Sequence, residues 1–414
     1  MSHKAKTGIF YGWIIVAIGS TILALEWGFQ YSYGIFFTEL CQNLNWTRAM
    51  VSGGYSLFML WHSISYLISG RLNDKYGPRL TLAISIIALT AGYALMSTIK
   101  APWQLYIFYG IMLGTGAGFG YVPIASTVSR WFVAKRGMAL GITTAGIGIG
   151  TLALAPFAQF LISQFAWRAS YLIIAAILLV IGLPISQMMR LEPSAKGLLP
   201  DGVEEIVKED KHDSSSPAVD FTLTQATKTK AFWTLFAMYA SLNFAIQLIM
   251  VHLKAYATDM GITPMIAATV VGLVGGISIL GRMAMGSVSD KIGRRAGFFI
   301  GYLSMAVIML WLLKATQAWQ FYLFSSIFGF GYGSCMVLFP AIIADWFGIK
   351  FHGTIFGVLS LAPGIGGAIG PLIAGYTFDA TQSYDTVIVI GAVILFIAVA
   401  CSFIIKAPLQ KTPP

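Results

Sequence analysis

Gly70-Arg-Leu-Asn-Asp74-Lys-Tyr-Gly77-Pro-Arg79 returns, 216 positions later, as Gly286-Ser-Val-Ser-Asp290-Lys-Ile-Gly293-Arg-Arg295. Trp103-Gln-Leu-Tyr-Ile-Phe108 returns at the same interval as Trp319-Gln-Phe-Tyr-Leu-Phe324. Gly137 and Gly141 return as Gly353 and Gly357, and Trp131-Phe132 returns one position early as Trp346-Phe347. One short motif can recur by chance. Four in the same order at nearly one offset record the duplication of a unit.

The nature of that unit follows from the residues between the motifs. Of 414 residues, 57% are apolar and 10% charged, where a soluble domain carries about a quarter charged residues. So few charges cannot cover a water-exposed surface, and a single buried core stops growing near ~300 residues. Most of the surface must therefore face lipid. A spanning helix needs ~20 mostly apolar residues. Twelve such runs are present: 11–37, 49–70, 80–99, 103–128, 138–162, 168–189, 232–256, 265–288, 296–315, 318–344, 353–376 and 385–406. The prediction is an all-α membrane protein with twelve transmembrane helices in two six-helix bundles, over 1–189 and 232–414. Six is even, so both copies insert with the same orientation about an axis along the membrane normal. Residues 190–231, with Glu204, Glu205, Lys208, Glu209, Asp210, Lys211 and Ser214-Ser215-Ser216-Pro217, read as a solvated cytosolic linker.

The net charge of +10 would point to nucleic acid in a soluble protein. Here the basic residues lie in short loops, so they report topology and no nucleic-acid partner is expected. With the N-terminus in the cytosol, the outer side receives only Arg48, Lys100, Arg168, Lys254 and Lys314, and Arg282 falls inside a helix. The remaining Lys and Arg lie inside, which fixes both termini and the linker in the cytosol. The expected location is the inner membrane of a bacterium. The first apolar run is longer than a signal h-region and no A-x-A-like site ends it, so it is expected to stay as the first span. Cys335 and Cys401 lie in apolar runs and Cys41 stands apart, which does not make a disulfide framework.

The duplicated Gly-x-x-x-Asp-x-x-Gly-x-Arg loops join the second to the third and the eighth to the ninth helix. Glycine permits a tight turn and close helix approach. Asp74 and Asp290 can accept charge-assisted hydrogen bonds from basic groups such as Arg79 and Arg294 and from helix N-termini. A cluster of this kind forms in one packing of the halves and breaks in the other, so it is expected to act as a conformational latch rather than as a plain positive-inside turn.

These loops, twelve helices and a central linker resemble the major facilitator superfamily along the whole chain. That resemblance implies two halves rocking about a central site. Tyr33-Gly-Ile-Phe-Phe37-Thr-Glu39-Leu followed by Trp46 is similar to the monocarboxylate transporters, as is Trp131-Phe-Val-Ala-Lys135-Arg136-Gly-Met-Ala-Leu-Gly141-Ile-Thr-Thr-Ala-Gly146. In that family an arginine in helix 8 is the proposed carboxylate anchor, and it falls on Arg282 here. An aspartate usually stands where this chain has Ser278, and the helix 1 lysine falls on Tyr31. The related oxalate/formate exchangers share the start of helix 5 but carry a second basic residue in helix 11, and none occurs between Gly353 and Tyr376.

Arg282 is a permanent cation inside a span, where charge is costly and usually faces a cavity or a partner. Its planar fork suits a carboxylate. The plainer reading is a side chain snorkelling to the cytosol, since Asp290 lies ~12 Å along the axis. Glu26 sits mid-span with no charged residue within helix-turn reach. It is either a proton carrier or one member of an ion pair between helices. His252 titrates near neutral pH and lies in helix 7, which lines the cavity in the superfamily. It is a candidate for substrate contact or proton transfer, against an ordinary interface histidine. His62 reads as structural. Tyr121 and Tyr332 each follow glycine-rich turns, where a phenol can reach a carboxylate or merely pack. Gly364-Ile-Gly366-Gly367-Ala-Ile-Gly370-Pro371 is a hinge or a packing seam.

The resulting expectation is a secondary transporter of small monocarboxylates such as lactate or pyruvate, coupled to a proton, with an oxalate/formate-type exchanger as the alternative. Arg282, Tyr121, Ser278, His252, Tyr332 and Tyr31 are expected at the substrate, with Glu26 or His252 holding the proton. A proton neutralises the loaded carrier, since a net charge crossing the field costs ~2.3 kcal/mol per 100 mV. No His/Asp/Glu/Cys constellation suits a metal or a nucleophile, so no enzyme chemistry, metal or cofactor is expected. No oligomer is required.

Overall fold

The computed structural model describes residues 10–133, 135–202, 221–348 and 351–408, so the acidic centre of the linker lies outside the described residues. Every regular element among the described residues is helical. Helix α1 runs Tyr11–Leu44 with a break at Ser32, α2 Arg48–Tyr76, α3 Pro78–Met96, and α4 Pro102–Trp131 with a break at Phe119 and Gly120. After the linker come α7 (Lys230–Asp259), α8 (Pro264–Ile292), α9 (Arg294–Leu312), α10 (Ala318–Phe347), α11 (His352–Thr381, broken at Ser360) and α12 (Asp385–Ile404). The stretch between α4 and the linker, Arg136–Gln187, holds 52 residues. A straight helix of that length would reach ~78 Å, against a ~30 Å hydrocarbon core. It is broken at Ala166, where φ is 61°. Gln187 Nε2 donates to the Arg79 carbonyl, and Trp131 Nε1, just before the stretch, donates to the Arg190 carbonyl just after it, so both ends return to the same side. The stretch is therefore two spans, α5 over 136–165 and α6 over 167–187.

Among the described residues, ten helices are long and apolar enough to cross a membrane. Counting α5 and α6 apart and adding α2 gives the twelve expected spans. Helix α2 misses the apolar threshold because its buried face carries Ser52, Ser56, His62, Ser63, Ser65, Ser69 and Asn73. That face meets protein rather than lipid. The duplication also survives in the geometry: α2 begins at 48 and ends at 76 where α8 begins at 264 and ends at 292, and α3 (78–96) answers to α9 (294–312) at the same interval.

The bundles meet along two seams, α2 against α11 and α5 against α8, with the outer half of α1 against α7. Small residues set the distance. A Cβ on Gly364 would stand 2.1 Å from Ser63 Oγ, one on Gly375 2.7 Å from the Arg48 carbonyl, and one on Gly275 2.4 Å from Thr151 Cβ. Gly366 and Gly370 turn the other way and rest on the Ala240 and Phe244 carbonyls of α7. The glycine run of α11 is thus a packing seam on two sides, one of the two expected readings.

The seams part toward the end that carries the duplicated loops, called here the basic end. Gly141 and Gly137 lie about two and three turns from Gly148 on the same stripe of α5, yet a Cβ on either would meet nothing within 4 Å, while one on Gly148 would stand 2.7 Å from the Gly275 carbonyl. Gly357 and Gly353 of α11 repeat the pattern below Gly364.

The far end is closed by polar contacts between the bundles. Asp379 of α11 accepts from the backbone N–H of Arg48 (3.0 Å) and of Ala49 (2.8 Å), so it caps α2 from the other bundle. Arg48 pairs with Asp259 at 2.9 Å, donates to Tyr384 Oη at 2.5 Å and stacks 3.6 Å over the Phe378 ring. Lys254, buried, donates to the Ile35 carbonyl at 2.7 Å.

Asp379→Ala is expected to loosen this closure. With Ser52→Cys placed behind the cluster in a background lacking the native cysteines, a membrane-impermeant thiol reagent applied at the far end should label about tenfold faster, the equivalent of one charge-assisted hydrogen bond. An unchanged labelling rate would show that the cluster does not hold the far end shut.

Candidate functional site

At the level where the seams begin to part, α8 turns Arg282 inward. Its Nη2 donates to Tyr332 Oη of α10 at 3.2 Å and its Nη1 to the Thr144 carbonyl of α5 at 3.4 Å. The guanidinium lies 5.4 Å from the centre of the Tyr332 ring. Tyr332 Oη in turn lies 3.4 Å from Tyr31 Oη of α1. The arginine is half-buried, engages both bundles and has no acid partner among the described residues. It does not snorkel toward Asp290, whose carboxylate belongs to Arg294.

Tyr31, Tyr332 and Arg282 therefore converge as expected. Tyr121, half-buried at the break in α4, lies within electrostatic reach of Arg282, as does buried Tyr239 of α7. Beside Tyr31 on the far side, Tyr55 Oη donates to Gln247 Oε1 at 2.8 Å across the bundles. Tyr55, Tyr239, Gln247 and the Thr144 carbonyl escaped the sequence reading. Gln247 left a signal, an amide in an otherwise apolar run; a backbone carbonyl leaves none.

Two expected residues are engaged elsewhere. Ser278 Oγ donates to the Gly275 carbonyl of its own helix at 2.7 Å, so its hydroxyl is spent within α8, while Gly333 of α10 packs on its backbone. A serine with a carbonyl three residues back satisfies itself before reaching into a cavity. His252 belongs to the far-end closure: its Nε2 lies 3.2 Å from Ser52 Oγ and 3.0 Å from the Pro371 carbonyl, and its Nδ1 lies 3.0 Å from Tyr384 Oη. None of these partners touches Arg282. His62 stacks between Phe58 and Tyr66.

Among the described residues, the charged loops at the basic end form ion pairs only within each bundle. Asp74 accepts from Arg130 of α4 at 3.0 Å, and Arg130 also binds Glu192. Arg294 binds Asp290 at 2.5 Å and Asp345 of α10 at 2.9 Å. Arg79 does not meet Asp74: its Nε donates to the Met189 carbonyl at 3.0 Å, just past the end of α6. Its duplicate Arg295 donates to the Ser402 and Phe403 carbonyls at the end of α12. A guanidinium on the last carbonyls of a helix meets the negative end of its dipole, which outcompetes the carboxylate five residues earlier, itself held by Arg130. In this conformation the pairs tie α2 to α4 and, through Arg294 at the start of α9, α8 and α10 to α9, and no latch joins the two bundles at this end among the described residues.

Glu26 faces the break in α4. Its head fills the space that a side chain at position 120 would occupy, with Oε2 only 1.8 Å from where a Gly120 Cβ would stand. It is 2% exposed and neither carboxyl oxygen has a hydrogen-bond partner. No group of three or more His, Cys, Asp or Glu is placed to hold a metal among the described residues.

The model of the Major Facilitator Superfamily matches residues 16–313 and 277–414. The chain is 27% identical over 400 residues to the oxalate:formate antiporter of Oxalobacter formigenes, covering 94% of this chain and 90% of that one. It is 25% identical over 427 residues to monocarboxylate transporter 2 of Homo sapiens (97% and 88%) and 24% identical over 390 to monocarboxylate transporter 13 of Rattus norvegicus (93% and 86%). A crystal structure of a bacterial homologue of the human lysosomal transporter Spinster, inward-facing and unoccupied, shares the fold with a TM-score of 0.75 at 14% identity, over 97% of each chain. Duplicated six-helix bundles, a shared seam and the whole-length family match lead to one assignment: this multi-pass membrane protein belongs to the Major Facilitator Superfamily.

Proposed function

We propose that the chain carries a small organic monocarboxylate of the lactate or pyruvate kind, together with a proton, by alternating access across the cytoplasmic membrane. The observation that carries this reading is Arg282: a permanent cation at the junction of the bundles, engaged by a phenol and a carbonyl but by no carboxylate. A guanidinium has five N–H donors, and two neutral acceptors leave room for a bidentate carboxylate. Tyr332, Tyr31 and Tyr121 then orient the rest of a small substrate. With the excess of basic loops inside, both termini lie in the cytosol, the basic end faces it, and the conformation is open inward.

Relatives named as monocarboxylate transporters and as an oxalate:formate antiporter favour an organic anion. Between symport and exchange, the lining favours a single negative charge. No second basic residue occurs between Gly353 and Tyr376, so a dianion would cross with one charge unpaired.

Uptake of labelled lactate into proteoliposomes tests the reading. An inward proton gradient should drive accumulation; counterflow with no net proton movement would instead establish the exchanger. Arg282→Ala should lower kcat/KM about 100-fold, the loss of two charge-assisted hydrogen bonds, and Arg282→Lys should recover only part of it. Wild-type uptake in Arg282→Ala would remove the anchor. Tyr332→Phe should raise KM about fivefold, the worth of one neutral hydrogen bond, and an unchanged KM would exclude the phenol from the site.

A further inference from the structure

Resting on the symport reading, we propose that the Glu26 carboxyl is the proton-binding site and that it communicates with Arg282 through Tyr66 and Tyr121. Glu26 is buried mid-span with both oxygens unpartnered, in a recess that exists because α4 breaks at Phe119 and Gly120 and position 120 has no side chain. An ionised carboxylate there would keep its whole desolvation penalty, whereas the neutral acid keeps much less. Glu26 therefore holds a proton in this conformation. A structural ion pair, the other reading of this residue, needs a cation, and none pairs with it among the described residues.

The groups around Glu26 are neutral. From α2 come His62 and Tyr66, with ring centres 4.4 Å apart, and His62 lies edge-on to Trp27 of α1. Neither Trp27 Nε1 nor His62 Nε2 has a hydrogen-bond partner. From α3, Tyr93 lies within electrostatic reach, as does Tyr66. From α5, Gly150 packs on Ala24 of α1, and Gly150 and Leu154 pack on Gly28. Tyr66 and Tyr121 rings are 6.2 Å apart, both are half-buried, and Tyr121 lies within reach of Arg282. Tyr66 lies within electrostatic reach of the acid and Tyr121 within that of the cation.

The charges then balance in both crossing states. In the loaded carrier, Glu26 is neutral and the substrate carboxylate cancels Arg282. In the open conformation Glu26 keeps its proton; only as the empty carrier closes for its return does the proton leave Glu26 Oε for water at the basic end, and the Glu26 carboxylate then cancels Arg282 instead. His252 cannot serve the same role here, since both its ring nitrogens are engaged in the far-end closure.

Two readouts on the full-length carrier in lipid test this. Infrared spectra at neutral pH should contain a carboxylic-acid C=O band of an acid without strong hydrogen bonds, absent in Glu26→Gln and shifted in Gly120→Ala, which keeps the carboxyl but crowds it. Glu26→Gln should also lose about tenfold of proton-driven lactate accumulation, within the usual size of coupling between sites, while lactate–lactate counterflow persists. The proposal falls if wild type lacks the band, if Glu26→Gln keeps gradient-driven accumulation, or if it loses counterflow as well. The infrared arm needs no substrate, so a wild-type carrier inert toward lactate would sink the symport reading and leave Glu26 judged by its own band.

Discussion

The bundles are joined by hydrogen bonds and glycine contacts, because lipid tails are as apolar as leucine and supply no hydrophobic force between helices. The clearest case is Asp379, which caps the first turn of α2 from the opposite bundle. Unmade, that contact would leave a carboxylate and two backbone N–H groups to be solvated separately. Near an aqueous vestibule water can do so, and in hydrocarbon nothing can. A seam made of such contacts is strong where it is dry and exchangeable where water reaches it, which suits a joint that must open at one end while holding at the other.

Arg282 stands at the boundary between these two regimes. Its acceptor on α5, the Thr144 carbonyl, lies between Gly141, which faces open space, and Gly148, which is packed on α8. The guanidinium thus bridges the bundles at the last level where they touch. Any rocking that closes the basic end alters the Thr144 and Tyr332 contacts first, and a carboxylate arriving on the same fork competes for the same donors. Anion binding and the position of the seam are linked through one side chain rather than through a chain of intermediates.

The architecture was legible because duplication and apolar length are one-dimensional signals, and the offset found in the motifs reappears in the bounds of α2 and α8. Helix α2 was also legible as a span, although its serines, His62 and Asn73 make it the most ambiguous, since those residues meet neighbouring helices rather than lipid. The site was only partly legible. Arg282, Tyr31 and Tyr332 come together from three helices. Ser278 is lost to a carbonyl three residues away, a local competition that spacing cannot reveal. His252 is drawn to the far end by Ser52, Pro371 and Tyr384, partners from three other helices or their ends that only tertiary packing assembles. Arg79 prefers the end of α6 to Asp74 for the same reason.

Charge conservation connects the departures from the family resemblance with Glu26. The lysine and aspartate usual among the monocarboxylate transporters fall on Tyr31 and Ser278, two neutral residues. Removing one cation and one anion together leaves the sum at the centre unchanged, but it also removes the counter-ion that would stand near Arg282. An empty carrier with that arginine unbalanced would move a net positive charge through the membrane field, at ~2.3 kcal/mol per 100 mV. The remaining acid in the middle of a span is Glu26; the others lie near helix ends or in loops. A neutral return step therefore requires Glu26 to ionise as the empty carrier crosses and to be protonated when the substrate is carried. That requirement agrees with a recess in which its protonated form carries the smaller burial penalty.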